Sequence, residues 1–135
     1  MRIVLDTNVL MSGIFFSGPP SRILQGWRDR EIRICISAEI FEEYQAVAER
    51  LESRLSSEDL GPILGLLAVE TDLYVATALP EQVCDDPDDD KFLACAIAAK
   101  CSLIVSGDNA LLRASGYKGV EVMRPRAFVE KYLEP

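Results

Sequence analysis

The sequence predicts a single α/β domain over residues 1–135, with a central, mostly parallel sheet of four to five strands flanked by helices on both faces. Three observations predict it. Short runs such as Arg2-Ile-Val-Leu5 and Leu103-Ile-Val105 are apolar and β-branched with little alternation, the pattern of strands buried on both faces. Segments of helical periodicity separate these runs. A length of 135 residues, 49% hydrophobic and 27% charged, suits one globular core.

The elements follow in order. The first strand, 2–5, leads into Asp6-Thr7-Asn8, a helix cap, and Val9, Leu10 and Ile14 then fall at helical spacing. The Gly18-Pro19-Pro20-Ser21 cluster ends that helix and starts another, with Ile23, Leu24 and Trp27 on one side. Residues 32–36 read as a second strand. Ser37 opens a long helix to about residue 55, and Ser57-Glu58-Asp59 caps a shorter one through residue 67. Residues 71–76 read as a third strand and 80–87 as a loop. A helix over 88–99 carries Phe92, Leu93, Ala96 and Ile97 at helical period, and strand 103–105 precedes the turn Ser106-Gly107-Asp108-Asn109. A short helix over 110–114, a last strand over 119–123 and a closing helix from Pro125 through residue 132 complete the chain.

No apolar run approaches the roughly 20 residues that span a bilayer, and the opening residues are not a secretory leader, so a cytoplasmic location is expected. The four cysteines, Cys35, Cys84, Cys95 and Cys101, form no C-x-x-C pair, and Cys35 and Cys95 read as small core residues.

The chain has no histidine, which removes Ser-His, Cys-His and histidine-base mechanisms and leaves carboxylates, Lys, Tyr or a metal for acid–base work. Its net charge of −8 opposes binding nucleic acid by bulk attraction, so a polyanionic ligand requires a cation and a local basic patch.

Four acids stand where a parallel sheet collects ligands, at or near the carboxyl ends of its strands. Asp6 directly follows the first strand and Asp108 stands just after the strand 103–105; Asp90 lies in the first turn of the helix before that strand, and Glu43 on the helix after the second. On that helix the apolar stripe is Ile40, Tyr44, Val47 and Leu51. At about 100° per residue, Glu43 lies roughly 60° from the stripe and Glu42 roughly 160° from it. Glu43 is therefore the acid that needs a partner, whether in a site or as a stripe-edge group paired with an arginine. In Cys84-Asp-Asp-Pro-Asp-Asp-Asp90, five like charges crowd six positions. They suit a solvated loop capping a helix, or a divalent cation. Asp90 is aligned with Leu93 and Ile97 on the buried face; Asp85, Asp86 and Asp88 read as outer or solvent groups. Asp6 could be an N-cap, a place for which Thr7 and Asn8 are equal candidates, and Asp108 no more than a turn residue after Gly107. Four converging acids without histidine suit Mg2+ or Mn2+. Such a site activates water and stabilises charge on a phosphoryl group, with one ion or with two about 3.5–4 Å apart.

These motifs resemble the PIN domain. The likeness rests on Leu5-Asp-Thr-Asn8, Glu43-Tyr-x-x-Val47, Asp90-Lys-Phe-Leu-Ala-Cys-Ala96 and Ser106-Gly-Asp108, in that order. It covers essentially the whole chain and is nearest the bacterial and archaeal toxin-like (VapC-like) PIN proteins. The resemblance implies a Mg2+- or Mn2+-dependent ribonuclease, with Asp6, Glu43, Asp90 and Asp108 as catalytic and metal-binding acids and Asn8 and Ser106 as polar supports. It implies RNA as substrate, with water attacking in line to leave a 3′-hydroxyl and a 5′-phosphate. A small antitoxin protein and a second copy in a homodimer are the partners it suggests. Lys91 is the basic group nearest the acids, and so the candidate substrate contact. Arg22, Arg28, Arg30 and Arg33 form one basic group; Arg113, Lys118, Arg124 and Arg126 form another, most of them read as solvated surface.

The competing reading within the family is a non-catalytic PIN-like RNA- or protein-binding regulator, which the presence of all four acids opposes. A haloacid-dehalogenase phosphatase needs Asp-x-Asp where this chain has Asp6-Thr-Asn8, and a receiver domain needs an acid pair where Asp6 is single.

Overall fold

A computed structural model describes residues 1–54 and 59–134. Its sheet has five strands: β1 (Arg2–Leu5), β2 (Arg33–Ile36), β3 (Asp72–Leu73), β4 (Leu103–Val105) and β5 (Glu121–Met123), in the order β3-β2-β1-β4-β5. Every pairing is parallel. Ile3, Val4, Leu5, Ile34, Cys35, Ile104 and Val105 have no measurable exposure, which requires cover on both faces and explains why these runs do not alternate.

Helices α1 (Thr7–Phe15), α2 (Pro19–Arg28), α3 (Ala38–Arg54), α4 (Gly61–Val69), α5 (Asp90–Ala98), α6 (Asn109–Arg113) and α7 (Pro125–Phe128) supply that cover. α5 packs on β1, β2 and β4, while α2 packs on α1 and α7. Tyr44 on α3 is fully buried, and its hydroxyl donates to the Leu5 carbonyl at 2.5 Å, tying the helix to the end of β1. All four cysteines are free and buried. Among the described residues no helix is long and apolar enough to cross a membrane.

Several element limits differ from the expectation. The third strand, expected over 71–76, is only Asp72–Leu73. It is an edge strand whose Leu73 is largely exposed, and the chain leaves the sheet after the Tyr74 amide bonds Ile36. The helix expected from residue 88 begins as a 3₁₀ turn, Pro87–Asp89, and becomes α-helical only at Asp90. α6 starts one residue early because Asp108 caps it, its Oδ1 accepting from the Ala110 amide at 3.0 Å. The closing helix widens into π-type turns over Val129–Leu133. The expected cap at Ser57 and Glu58 lies outside the described residues; α4 begins at Gly61 with Pro62 in its first turn.

From β1 the chain builds outward through β2 to β3, then crosses back to β4 on the other side of β1. The order therefore reverses between β1 and β4, and the carboxyl ends of those two strands face the crevice where α/β sheets bind ligands. Asp6 follows one and Ser106-Gly107-Asp108 the other. The ladder fixes their register: the Asp6 amide bonds Val105 and the Ser106 amide bonds Met123, each at 3.0 Å.

Candidate functional site

Asp6 occupies the N-cap position of α1, yet its side chain makes no capping bond. Instead its Oδ2 accepts from the Ser106 hydroxyl at 2.6 Å. Ser106 is fully buried, and its Oγ also accepts from the Asp108 amide at 3.0 Å. One hydroxyl thus joins the ends of β1 and β4 and sets the turn carrying Asp108. Burial of Asp6 pushes its pKa above the usual carboxylate value. The Ser106 bond opposes that rise, and the nearby charges of Asp108 and Glu43 add to it.

The five aspartates leading into and opening α5 separate into five environments. Asp85 pairs with Arg113, whose Nε lies 2.9 Å away. Asp86 caps the 3₁₀ turn by accepting from the Asp88 amide at 2.9 Å. Asp88 meets the Lys91 ammonium at 3.0 Å. Asp90, which the helical period aligns with the buried face, accepts from the amides of Cys84 at 2.7 Å and Val83 at 3.0 Å. Partial burial would raise its pKa, but these amide bonds outweigh that and hold it below the ordinary value. Both of its oxygens are committed to shaping the preceding loop.

Asp89 differs from all of these. It has αR backbone angles and makes no cap bond, and its Oδ2 is the buried side-chain oxygen without a hydrogen-bond partner among the described residues. Its neighbour is a second acceptor, Asp108. Burial, the contact with Asp108 and the charges of Asp108, Asp6 and Asp86 push its pKa up to about 7. Two ionised carboxylates in contact require a shared proton or a cation. Sequence periodicity passes over Asp89 because Pro87 winds the first turn as 3₁₀ helix, so extrapolation back along α5 at 100° per residue fails there. Pro87 at the start of the run is the signal that marks the shift.

Glu43 and Lys91 form a separate pair on the border of this cluster. Lys91 Nζ lies 2.8 Å from Glu43 Oε1, and Glu43 Oε2 accepts from the Thr7 hydroxyl. Glu42 is exposed, as the helical stripe predicts. Desolvation would lower the Lys91 pKa, but bonds to Glu43 and Asp88 more than reverse this and raise it. Lys91 is therefore engaged by two carboxylates where the sequence reading has it contacting substrate. Asn8, expected as a support, is exposed and lines a groove between α1 and α3 with Phe16, Val47 and Leu51. The Cys84 thiol beside Asp90 is pushed up to about 12, chiefly by burial, which leaves it inert as a nucleophile.

The PIN domain profile matches residues 2–110. The chain belongs to the PIN domain family. No curated protein matches it. PIN domains are generally nucleases, hydrolases of phosphodiester bonds in nucleic acids that use divalent metals, and the five-stranded α/β sheet seen here is consistent with that family.

The donor set fits such an ion. Oxygen donors with neither histidine nor thiolate at hand suit a hard cation, and the unpartnered Asp89 oxygen lies beside a second acceptor, Asp108, with no donor between them. Among the described residues, no three Asp, Glu, Cys or His side chains already converge as a ligand set. Asp89 and Asp108 are in contact, and Asp6 is their electrostatic neighbour.

The basic groups divide by their place on this PIN domain. Arg28, Arg30 and Arg33 line a hollow with Met1 and Trp27 at the amino ends of the strands, the far side of the sheet from the acids. Arg124 reaches the acidic end, where its Nη2 lies 2.7 Å from Asn109 Oδ1, next to Asp108.

Proposed function

We propose that this chain is a Mg2+- or Mn2+-dependent endoribonuclease that hydrolyses phosphodiester bonds of single-stranded or structured RNA. The observation that carries the reading is the Asp89–Asp108 contact, with a donor-free buried oxygen, at the carboxyl ends of β1 and β4 beside Asp6. Asp6, Asp89 and Asp108 would hold the ion, which when bound supplies a positive field toward the phosphoryl group and toward water.

The chain's own groups do the rest. Ser106 orients Asp6 and fixes the Asp108 turn from one buried hydroxyl. Asp90 holds the 83–84 backbone and so sets the turn that presents Asp89. Thr7 and Lys91 hold Glu43 at the edge of the cluster. Arg124 is placed to meet a backbone phosphate that enters from the β5 side. Asp6, Glu43, Asp90 and Asp108 all stay in the proposed machinery; Asp89 joins as an ion-holding acid, and Glu43 and Asp90 act as positioning groups.

The finer biological reading, by likeness, is the toxin of a toxin–antitoxin pair acting in the cytoplasm, with a small antitoxin protein and a second copy of this chain as partners. The test is cleavage of a mixed RNA pool by the wild type and by Asp6→Asn, with Mn2+ and with chelator. Cleavage by the wild type alone, abolished by chelator, supports the reading. Equal activity of both proteins overturns it. RNA binding without cleavage in any divalent ion would instead fit the PIN-like binding regulator.

A further inference from the structure

Both oxygens of Glu43 are occupied by groups of this chain: Oε1 by the Lys91 ammonium at 2.8 Å and Oε2 by the Thr7 hydroxyl. Lys91 is itself held on two sides, its second partner being Asp88 at 3.0 Å. Only 18% of the Lys91 side chain and 21% of the Glu43 side chain are exposed, so solvent screens the pair poorly. Thr7 follows Asp6 in the chain, and Glu43 is close enough to Asp6 to act on its charge. The fourth carboxylate of the cluster thus carries a fixed cation, while Asp89 keeps a free oxygen.

With both Asp90 oxygens taken by the Val83 and Cys84 amides, the carboxylates left for metal are Asp6, Asp89, Asp108 and Glu43, and four such charges balance two divalent ions. With Glu43 neutralised by Lys91, three remain, enough for one ion and short of two. An ion placed between Glu43 and Asp6 would also face the ammonium at short range, where like charges repel strongly. To ligate, Glu43 would have to give up an ion pair and a hydroxyl bond, leaving Lys91 half-buried with only Asp88.

We propose that Lys91 is the built-in counter-ion of Glu43 and limits the acid cluster to a single divalent ion. This rests on the metal reading above and deepens it. Lys91 is a positioning residue: it acts through Glu43 and does not touch substrate.

The test is Mn2+ alone, titrated calorimetrically into the full chain, with electron paramagnetic resonance of the bound ions as a second readout. The wild type is expected to bind one Mn2+. Lys91→Met is expected to bind two, with spectral broadening from neighbouring ions and a second site at least about tenfold tighter than any weak second event in the wild type. Lys91→Arg, which keeps the charge, returns the count to one, and so does Lys91→Met combined with Glu43→Gln. Should Lys91→Met not fold, Lys91→Gln replaces it, since its amide still donates to Glu43 without the charge. Two ions in the wild type, or identical isotherms for the wild type and the neutral variant, overturn the proposal. No Mn2+ in any of the proteins overturns the metal reading itself, and this inference with it.

Discussion

The Ser106 hydroxyl donates to Asp6 Oδ2 across 2.6 Å, joining two buried residues 100 positions apart in sequence. The same oxygen receives the Asp108 amide, so one side chain registers two of the proposed ion-holding acids. Ser106→Ala would leave a buried carboxylate oxygen and a backbone amide without this partner. It is expected to cost about 1–3 kcal/mol of folding stability, read by urea unfolding, and to weaken Mn2+ binding. Unchanged stability would show that Asp6 finds another donor.

Asp89 and Asp90 are adjacent yet opposite in role. Asp89→Asn relieves the contact between two acceptors, so in chelator it should melt at or above the wild-type temperature while losing most of the rise that Mn2+ produces. Asp90→Ala removes the acceptor for two amides and should lose about 1–3 kcal/mol of folding stability in chelator, and so melt lower, while keeping the Mn2+-induced rise. The reverse pattern would return Asp90 to the ion.

The raised carboxylates set a pH dependence. Burial and the facing Asp108 push Asp89 up to about 7, above the ordinary carboxylate value, and burial shifts Asp6 the same way. The native state then holds more protons than the unfolded chain between about pH 4 and 7, so stability is fully present at the acid side of that window and falls as pH rises through it. After allowance for solvent screening of the partly exposed Asp89, its share is on the order of 1 kcal/mol. Urea unfolding at several pH values in chelator should show the loss in the wild type and a reduced loss in Asp89→Asn. Mn2+ should suppress it, because the ion takes the place of the proton.

The two basic groups give a directional prediction for RNA. Arg124 reaches the acidic end of the sheet, whereas Arg28 lies at the opposite end. Arg124→Ala should weaken binding of a single-stranded RNA by about threefold to tenfold and reduce its salt dependence, while Arg28→Ala leaves both near wild type. Fluorescence anisotropy across a salt series measures this, and equal losses would place the RNA path over both ends.

Much of this site is legible in the sequence because strand ends are. Asp6 and Ser106 directly follow short apolar runs that read as buried strands, Asp108 comes two residues after Ser106, and a parallel sheet brings such ends together. The choice of Glu43 over Glu42 follows from one helical stripe, and the structure leaves Glu42 exposed while half-burying Glu43. Asp89 was not legible, because a single 3₁₀ turn decides which of three consecutive aspartates faces the crevice. Nor was the Glu43–Lys91 pair, whose partners lie 48 residues apart and meet only through the packing of α3 on α5. The early end of β3 likewise depends on its edge position, which residues 71–76 do not encode.

The most direct test is the rate at which purified Asp89→Asn cleaves a single-stranded RNA at saturating Mn2+, beside the wild type and Asp90→Asn. The expected result is a fall of about a hundredfold or more for Asp89→Asn and a much smaller one for Asp90→Asn, whose amide oxygen can still accept a bond from the loop. Wild-type cleavage by Asp89→Asn would contradict it.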